Sequence, residues 1–290
     1  MNKHTLARLV RAGLLRRLLR GVYAATQVPD DLLLRAWALA LVTPKYAAVT
    51  DWTALWLFTG LLPFGHHLAV PPVCMFRFAG HGRLRNDLCT SGERAFLPGD
   101  LMVVEGVTVT TPLRTALDLG RLANRDMAIG ALDGLLRHGS FAREELLAGV
   151  ERFRRQRGVV QLRALAPLAD PRAESPGESV LRLRWLDMPS LPRPVPQIPV
   201  LAPDGTEIYR IDLGVEEIRF GAEYDGEEWH SSDEDRAHDQ HRRELLGRRW
   251  HWVITPVRRD NVFGRTRDVE RILHEGVLEA RRRIGESWPH

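Results

Sequence analysis

Apolar positions recur at helical spacing from the start of the chain. Leu6, Leu9 and Val10 share one helical face, Gly13 interrupts the run, and Leu14, Leu15, Leu18 and Leu19 resume it. The pattern predicts two short helices over residues 4–20 and a short strand at Gly21-Val22-Tyr23-Ala24. A helix from Pro29 or Asp30 to Val42 follows. Another starts near Thr50 and carries Trp52, Leu55, Trp56 and Leu57, where core packing is the expected role of the two tryptophans. Residues 65–111 read as strands, with candidates at 67–71, 74–78, 101–105 and 107–110 and a tight turn at Gly106. From Pro112 to about Pro167 the period returns to that of helices, through Leu117, Leu119, Ile129, Leu132, Leu135 and Leu136.

Residues 167–177 are rich in proline, glycine and other helix breakers, and mark a linker. Beyond it the order reads α-β-β-β-α-β-α. The predicted elements are a helix over 178–187, strands over 196–201, 207–213 and 218–225, a helix from Ser232 or Asp233 to about Leu246 ended by Gly247, a strand over 249–255 closed by Pro256, and a last helix over 267–284. The chain is therefore expected to be of α/β class. Its parts are a mainly helical, winged-helix-like region at 1–64, a mixed α+β middle at 65–166, the linker, and an α/β domain at 178–290.

Composition narrows the classes. An apolar content of 44% supports packed cores rather than disorder, and a formal charge of +4 gives a modest pull towards polyanions. Only Lys3 and Lys45 are lysines; every other cation is arginine, whose fork suits phosphate. Cys74 and Cys89 fit no metal or redox spacing, which points to a reducing cytoplasm. No secretory leader is expected, and the longest apolar stretch, 32–42, is too short to span a bilayer and contains Arg35. No nucleotide-binding Gly-Lys-Ser/Thr string occurs.

The candidate chemistry lies in the last third. Asp212 closes a predicted strand, and Glu223 and Asp225 stand two apart on the next, where side chains share a face. Trp229 and His230 follow. Carboxylates gathered in this way repel each other unless a cation joins them, and oxygen ligands suit Mg²⁺. A hairpin with a solvated acidic edge is the alternative. Nearer the start, Arg8, Arg11, Arg16, Arg17 and Arg20 crowd one short segment, as in a helix–turn–helix and wing set against phosphates, or in a small helical hairpin with a charged face. The run Arg152, Arg154, Arg155 and Arg157 is of a kind more often solvated than binding.

The order of elements, with Glu178 on the first helix, Asp212 on the second strand and Glu223-x-Asp225 on the third, resembles the PD-(D/E)XK nuclease superfamily. The string Glu223-Tyr224-Asp225-Gly226-x-x-Trp229-His230, followed by Asp239-x-x-Arg242-Arg243 and Gly247, is similar to its very-short-patch mismatch-repair endonuclease branch, over about residues 174–284. This implies a restriction-endonuclease-like core that cleaves DNA with Mg²⁺ or Mn²⁺. Asp212 and Glu223 would be metal ligands, and Glu178, Asp225 and His230 would complete the catalytic set. Arg242 and Arg243 would join Arg16, Arg17 and Arg20 on DNA. The superfamily's third-strand lysine is absent; Asp225 stands in its place, and His230 is the natural substitute.

The strings Leu9-Val10-Arg11-Ala12-Gly13 and Arg20-Gly21-Val22-Tyr23-Ala24 resemble the winged-helix start of abortive-infection type IV antitoxin-like proteins. So do the later strings 48–54 and 111–118. That resemblance implies a DNA-binding regulator and a protein partner from a toxin–antitoxin or defence system. Two readings stay open here: a metal-dependent endonuclease with an N-terminal regulatory region, or an antitoxin-like regulator whose nuclease fold is inactive.

Overall fold

The computed structural model describes residues 3–61, 73–78, 89–226 and 244–287. The chain divides into two compact units, Met1–Ala169 and Asp170–His290. The first opens with helix α1 (Lys3–Arg11) and a hairpin of β1 (Leu15–Leu19) and β2 (Val22–Ala25). The second helix expected over residues 14–20 is thus a strand. Leu15, Leu18 and Leu19 satisfy either period, but Arg20-Gly21 closes a two-residue turn that pairs Leu19 with Val22. The backbone of β1 bonds to β2 in place of its own preceding turn. Gly21 takes φ +88°, as such turns require.

Helix α2 (Leu32–Ala40) is capped by Asp31, whose carboxylate accepts from Leu34 N; α3 (Asp51–Thr59) ends at Gly60. A five-stranded sheet follows the order β5-β4-β3-β7-β6. Its strands are β3 (Ala47–Val49), β4 (Val73–Arg77), β5 (Cys89–Thr90), β6 (Leu101–Val104) and β7 (Val107–Thr110). Because β3 pairs with both β4 and β7, the first 64 residues do not close on themselves. The strand expected over 67–71 lies outside the described residues. Four helices complete the unit: α4 (Pro112–Leu122), α5 (Arg125–Arg137), α6 (Arg143–Val150) and α7 (Val159–Leu165). Thr111 caps α4, with Pro112 in its first turn where a missing N–H costs nothing. Leu117, Ile129, Leu132, Leu135, Leu146 and Leu162 are fully buried between these helices.

Beside that apolar core lies a buried ionic network. Asp118 accepts from Arg94 Nη1 (2.9 Å) and Arg114 Nε (2.8 Å) on one oxygen, and from Arg121 Nη2 (2.8 Å) on the other. Arg94 also forks onto Asp51, while Arg114 and Arg152 both reach Asp100. Burial alone would raise the Asp100 carboxyl, but the Leu97 N–H together with Arg152 and Arg114 holds it below the ordinary carboxylate range. Arg121 lies 4.6 Å over the ring of Phe153, and Arg94 3.9 Å over that of Phe76. The two strings singled out at 48–54 and 111–118 supply Asp51, Arg114 and Asp118. Their role in this fold is to build the network.

The second unit runs α8 (Pro176–Leu186), β8 (Val195–Leu201), β9 (Glu207–Val215), β10 (Phe220–Asp225), α9 (described over 244–250), β11 (Val253–Arg258), α10 (Arg259–Val262) and α11 (Val269–Ser287). The sheet order is β11-β10-β9-β8, antiparallel from β8 to β10 and parallel between β10 and β11. The α/β class holds, with two boundaries corrected. The helix continues past Gly247 to residue 250, and His251 takes the left-handed conformation, at φ +60°, that Gly247 was expected to supply. Pro256 sits inside β11 rather than ending a strand, because β11 is an edge strand where a missing N–H is tolerated. Ile198, Val200 and Ile211 pack with Leu246 and Trp252, while Trp185 meets Phe220 at a ring distance of 5.3 Å.

Candidate functional site

Three of the predicted carboxylates come together where α8 meets the sheet. Ser175 caps α8, its hydroxyl accepting from Glu178 N at 3.1 Å. Gly177 makes the junction: a Cβ there would fall 2.0 Å from the ring of Tyr224, so only glycine lets β10 lie against this turn. Glu178 Oε2 then accepts from Gln197 Nε2 of β8 at 3.0 Å and from Glu174 N at 2.9 Å. Asp212 Oδ2 accepts from Tyr224 N at 2.9 Å, and the Tyr209 hydroxyl donates to Glu223 Oε1.

Charge and burial set the chemistry. Burial first, and then the negative charges of Glu178 and Glu223, push the Asp212 carboxyl up to about 7, against the pull of the Tyr224 N–H. Burial also raises Glu178, with its hydrogen bonds opposing. A carboxyl poised near neutrality can take or give a proton there. Among the described residues, no three of His, Cys, Asp and Glu are placed to hold one metal ion. Each of the three carboxylates also accepts a hydrogen bond from within its own unit.

The other predicted residues divide as follows. Asp225 is exposed at the end of β10, in register with Arg258. Asp212 lies inside β9 rather than at its end. His230, Arg242 and Arg243 fall outside the described residues, as do Trp229 and Asp239. Sequence reasoning missed Tyr209 and Gln197. Gln197 is the one polar side chain in Val-Pro-Gln-Ile-Pro-Val-Leu, which was the available signal, and it sits in the left-handed region at φ +56°. Strained residues of this kind gather at functional sites.

On the first unit, the hairpin carries Arg16, Arg17 and Arg20. Arg17 and Arg20 are exposed; Arg16 is half-buried and donates through Nη2 to the Val28 carbonyl at 2.6 Å. Gly13 and Gly21, at φ +68° and +88°, place the hairpin directly after α1. The arrangement sets two basic elements side by side, which suits contact with phosphates without sequence reading.

Residues 46–168 match the AbiEi antitoxin C-terminal domain. Over 267 residues the chain is 34% identical to an uncharacterised protein of Mycobacterium tuberculosis strain H37Rv and, equally, to one of strain CDC 1551; each alignment covers 90% of this chain and 92% of the relative. The chain belongs to their family. Its antitoxin-like part takes in the five-stranded sheet, α3 to α7 and the buried ionic network. The arginine hairpin and the carboxylate cluster lie outside that matched stretch. No solved structure matches the chain. Among the described residues, no helix is long and apolar enough to cross a membrane.

Proposed function

We propose that the chain is a DNA-binding regulator of the antitoxin type, working in the cytoplasm beside a protein partner of a toxin–antitoxin or defence system. The observation that carries this reading is the AbiEi antitoxin match, which extends over 123 residues rather than a short motif. The hairpin supports it, since Arg17 and Arg20 stand exposed next to α1. In this reading the arginines neutralise phosphates and release counterions, so affinity falls steeply with salt. Binding of a fluorescent duplex at 50–200 mM salt checks it. Replacing Arg17 and Arg20 by alanine should reduce the slope of log K against log salt by about 2, at roughly 0.9 per phosphate. Wild-type affinity that stays level across the salt range would sink the proposal.

A second reading is a metal-dependent DNA endonuclease of the very-short-patch-repair-like type. The observation that favours it is the meeting of Glu178, Asp212 and Glu223 on an α-β-β-β arrangement, with Asp212 held near neutrality. Supercoiled plasmid incubated with Mg²⁺ or Mn²⁺ tests it. On this reading the wild type nicks the plasmid and Asp212→Ala does not, while His230→Ala reports whether the histidine replaces the absent lysine. An intact plasmid after incubation with the wild type leaves the regulator alone.

A further inference from the structure

Helix α2 hides its arginine and shows its tryptophan. Its sequence, Leu-Leu-Leu-Arg-Ala-Trp-Ala-Leu-Ala, carries a single charge, on Arg35. Arg35 is buried. Its Nε donates to Asp30 Oδ1 at 2.8 Å and its Nη2 to the Asp30 carbonyl at 3.0 Å. Gly60, at φ +77°, makes room for it, since a Cβ there would fall 2.7 Å from Nη2. Ala36, Ala38 and Leu39 are buried on the inward side as well. The outward arc consists of Leu33, Trp37, Ala40 and Leu41, at the i, i+4, i+7, i+8 spacing of a stripe that normally faces a core. Trp37 is 54% exposed and Leu41 75%.

The ion pair fixes this rotation. Turning the helix to bury Trp37 would pull Arg35 away from Asp30. Single exposed apolar side chains are ordinary, whereas a continuous arc with no polar member marks a contact surface. Val28 and Leu32, ahead of the helix and at its start, are exposed too. The charges at the two ends say what the arc meets. Asp30 is balanced by Arg35. Asp31 then stands exposed at the start of the helix, and Lys45 stands exposed beyond its end.

We infer that α2 joins two copies of the chain about a two-fold axis, with the two helices antiparallel. A two-fold contact sets a face against itself, which suits an uncharged stripe bounded by one charge of each sign. Trp37 of each copy lies over Ala40 of the other, large against small, and Asp31 of each comes beside Lys45 of the other. A parallel pairing would set like charges together. A strongly charged partner would find nothing on the arc to bind. One short helix from each copy buries little area, so the dimer belongs to the small class, below about 1,200 Å², and forms at roughly micromolar concentration.

Sedimentation velocity of the full chain, from about 1 to about 200 μM, tests this. The wild type should move from the chain mass of 32.9 kDa towards twice that value as concentration rises. Trp37→Asp places a charge at the centre of the stripe and should raise the dimer Kd by about 100-fold or more, leaving monomer throughout. Lys45→Glu should raise it about tenfold at low salt and much less at high salt, where exposed charges are screened. Val160→Asp, at an exposed apolar position of α7, should leave Kd unchanged. All three should melt with the wild type, as each of these side chains is exposed. Were Trp37→Asp to melt early, Leu41→Asp makes the same comparison. A wild type that stays monomeric throughout overturns the second copy and leaves the arc to a different protein. A dimer that survives Trp37→Asp and Leu41→Asp, or that Val160→Asp weakens equally, overturns the role of α2. A dimer lost with Trp37→Asp but indifferent to Lys45→Glu at low salt overturns the antiparallel pairing.

Discussion

Replacing Asp118 by alanine is expected to destabilise the first unit by about 3–5 kcal/mol, the range for breaking a buried ionic pair and leaving its partner charged. Asp118 is almost completely buried and receives hydrogen bonds from three arginines. After the change Arg94 keeps Asp51 and Arg114 keeps Asp100, but Arg121 is left with no carboxylate among those named in the network. Its charge would stay packed over Phe153 with nothing to balance it. Removing Glu151 from Arg163, a pair more than two-fifths exposed on both sides, should cost less than about 1 kcal/mol. Thermal denaturation of both variants checks the contrast, with a fall of about 10 °C expected for Asp118→Ala and almost none for Glu151→Ala. A difference below about 1 kcal/mol between the two would mean that the network is not what holds this unit together.

Asp212→Asn should stabilise the protein at pH 8 and leave it nearly unchanged at pH 4.5. The folded carboxyl titrates at about 7, well above the unfolded value of about 3.9. The folded state therefore holds the proton more tightly. The group's contribution is fully present below about pH 4 and is lost as pH rises through 7. Above that point the protein keeps a buried negative charge beside Glu178 and Glu223. Asparagine removes the charge and still accepts from Tyr224 N. A three-unit difference corresponds to about 4 kcal/mol at most, and some of it is relieved by solvent, so a gain of roughly 2 kcal/mol is expected. Denaturant unfolding at the two pH values checks it. An equal effect at both would show that the charge of Asp212 is not what burial opposes.

Much of this architecture is legible in residue order, and the failures are instructive. Thr111-Pro112 announces α4, and Glu105-Gly106 announces the β6–β7 turn, because capping and turn chemistry are local. The order around Glu178, Asp212 and Glu223 is readable because these acids interrupt apolar runs. The β1 strand was misread as a helix because its leucines fit both periods. The deciding signal was the Arg20-Gly21 turn, whose following strand needed a partner. The ionic network was invisible as a network, since Asp51, Arg94, Asp100, Asp118 and Arg152 are brought together by tertiary folding alone. Tyr209 and Gln197 escaped for the same reason. A tyrosine on the strand beside the glutamate it serves, fourteen residues away in the chain, leaves no periodic trace.

The spread of that network along the chain has a kinetic consequence. Its members run from residue 51 to residue 152, so joining them closes long loops before any pairing energy is recovered. Contacts closed over such separations are expected to form late, after the barrier to folding has been crossed. Interactions of that kind weigh on the rate of opening and little on the rate of assembly. On that expectation the first unit unfolds slowly, and Asp118→Ala should raise its unfolding rate far more than it lowers its folding rate.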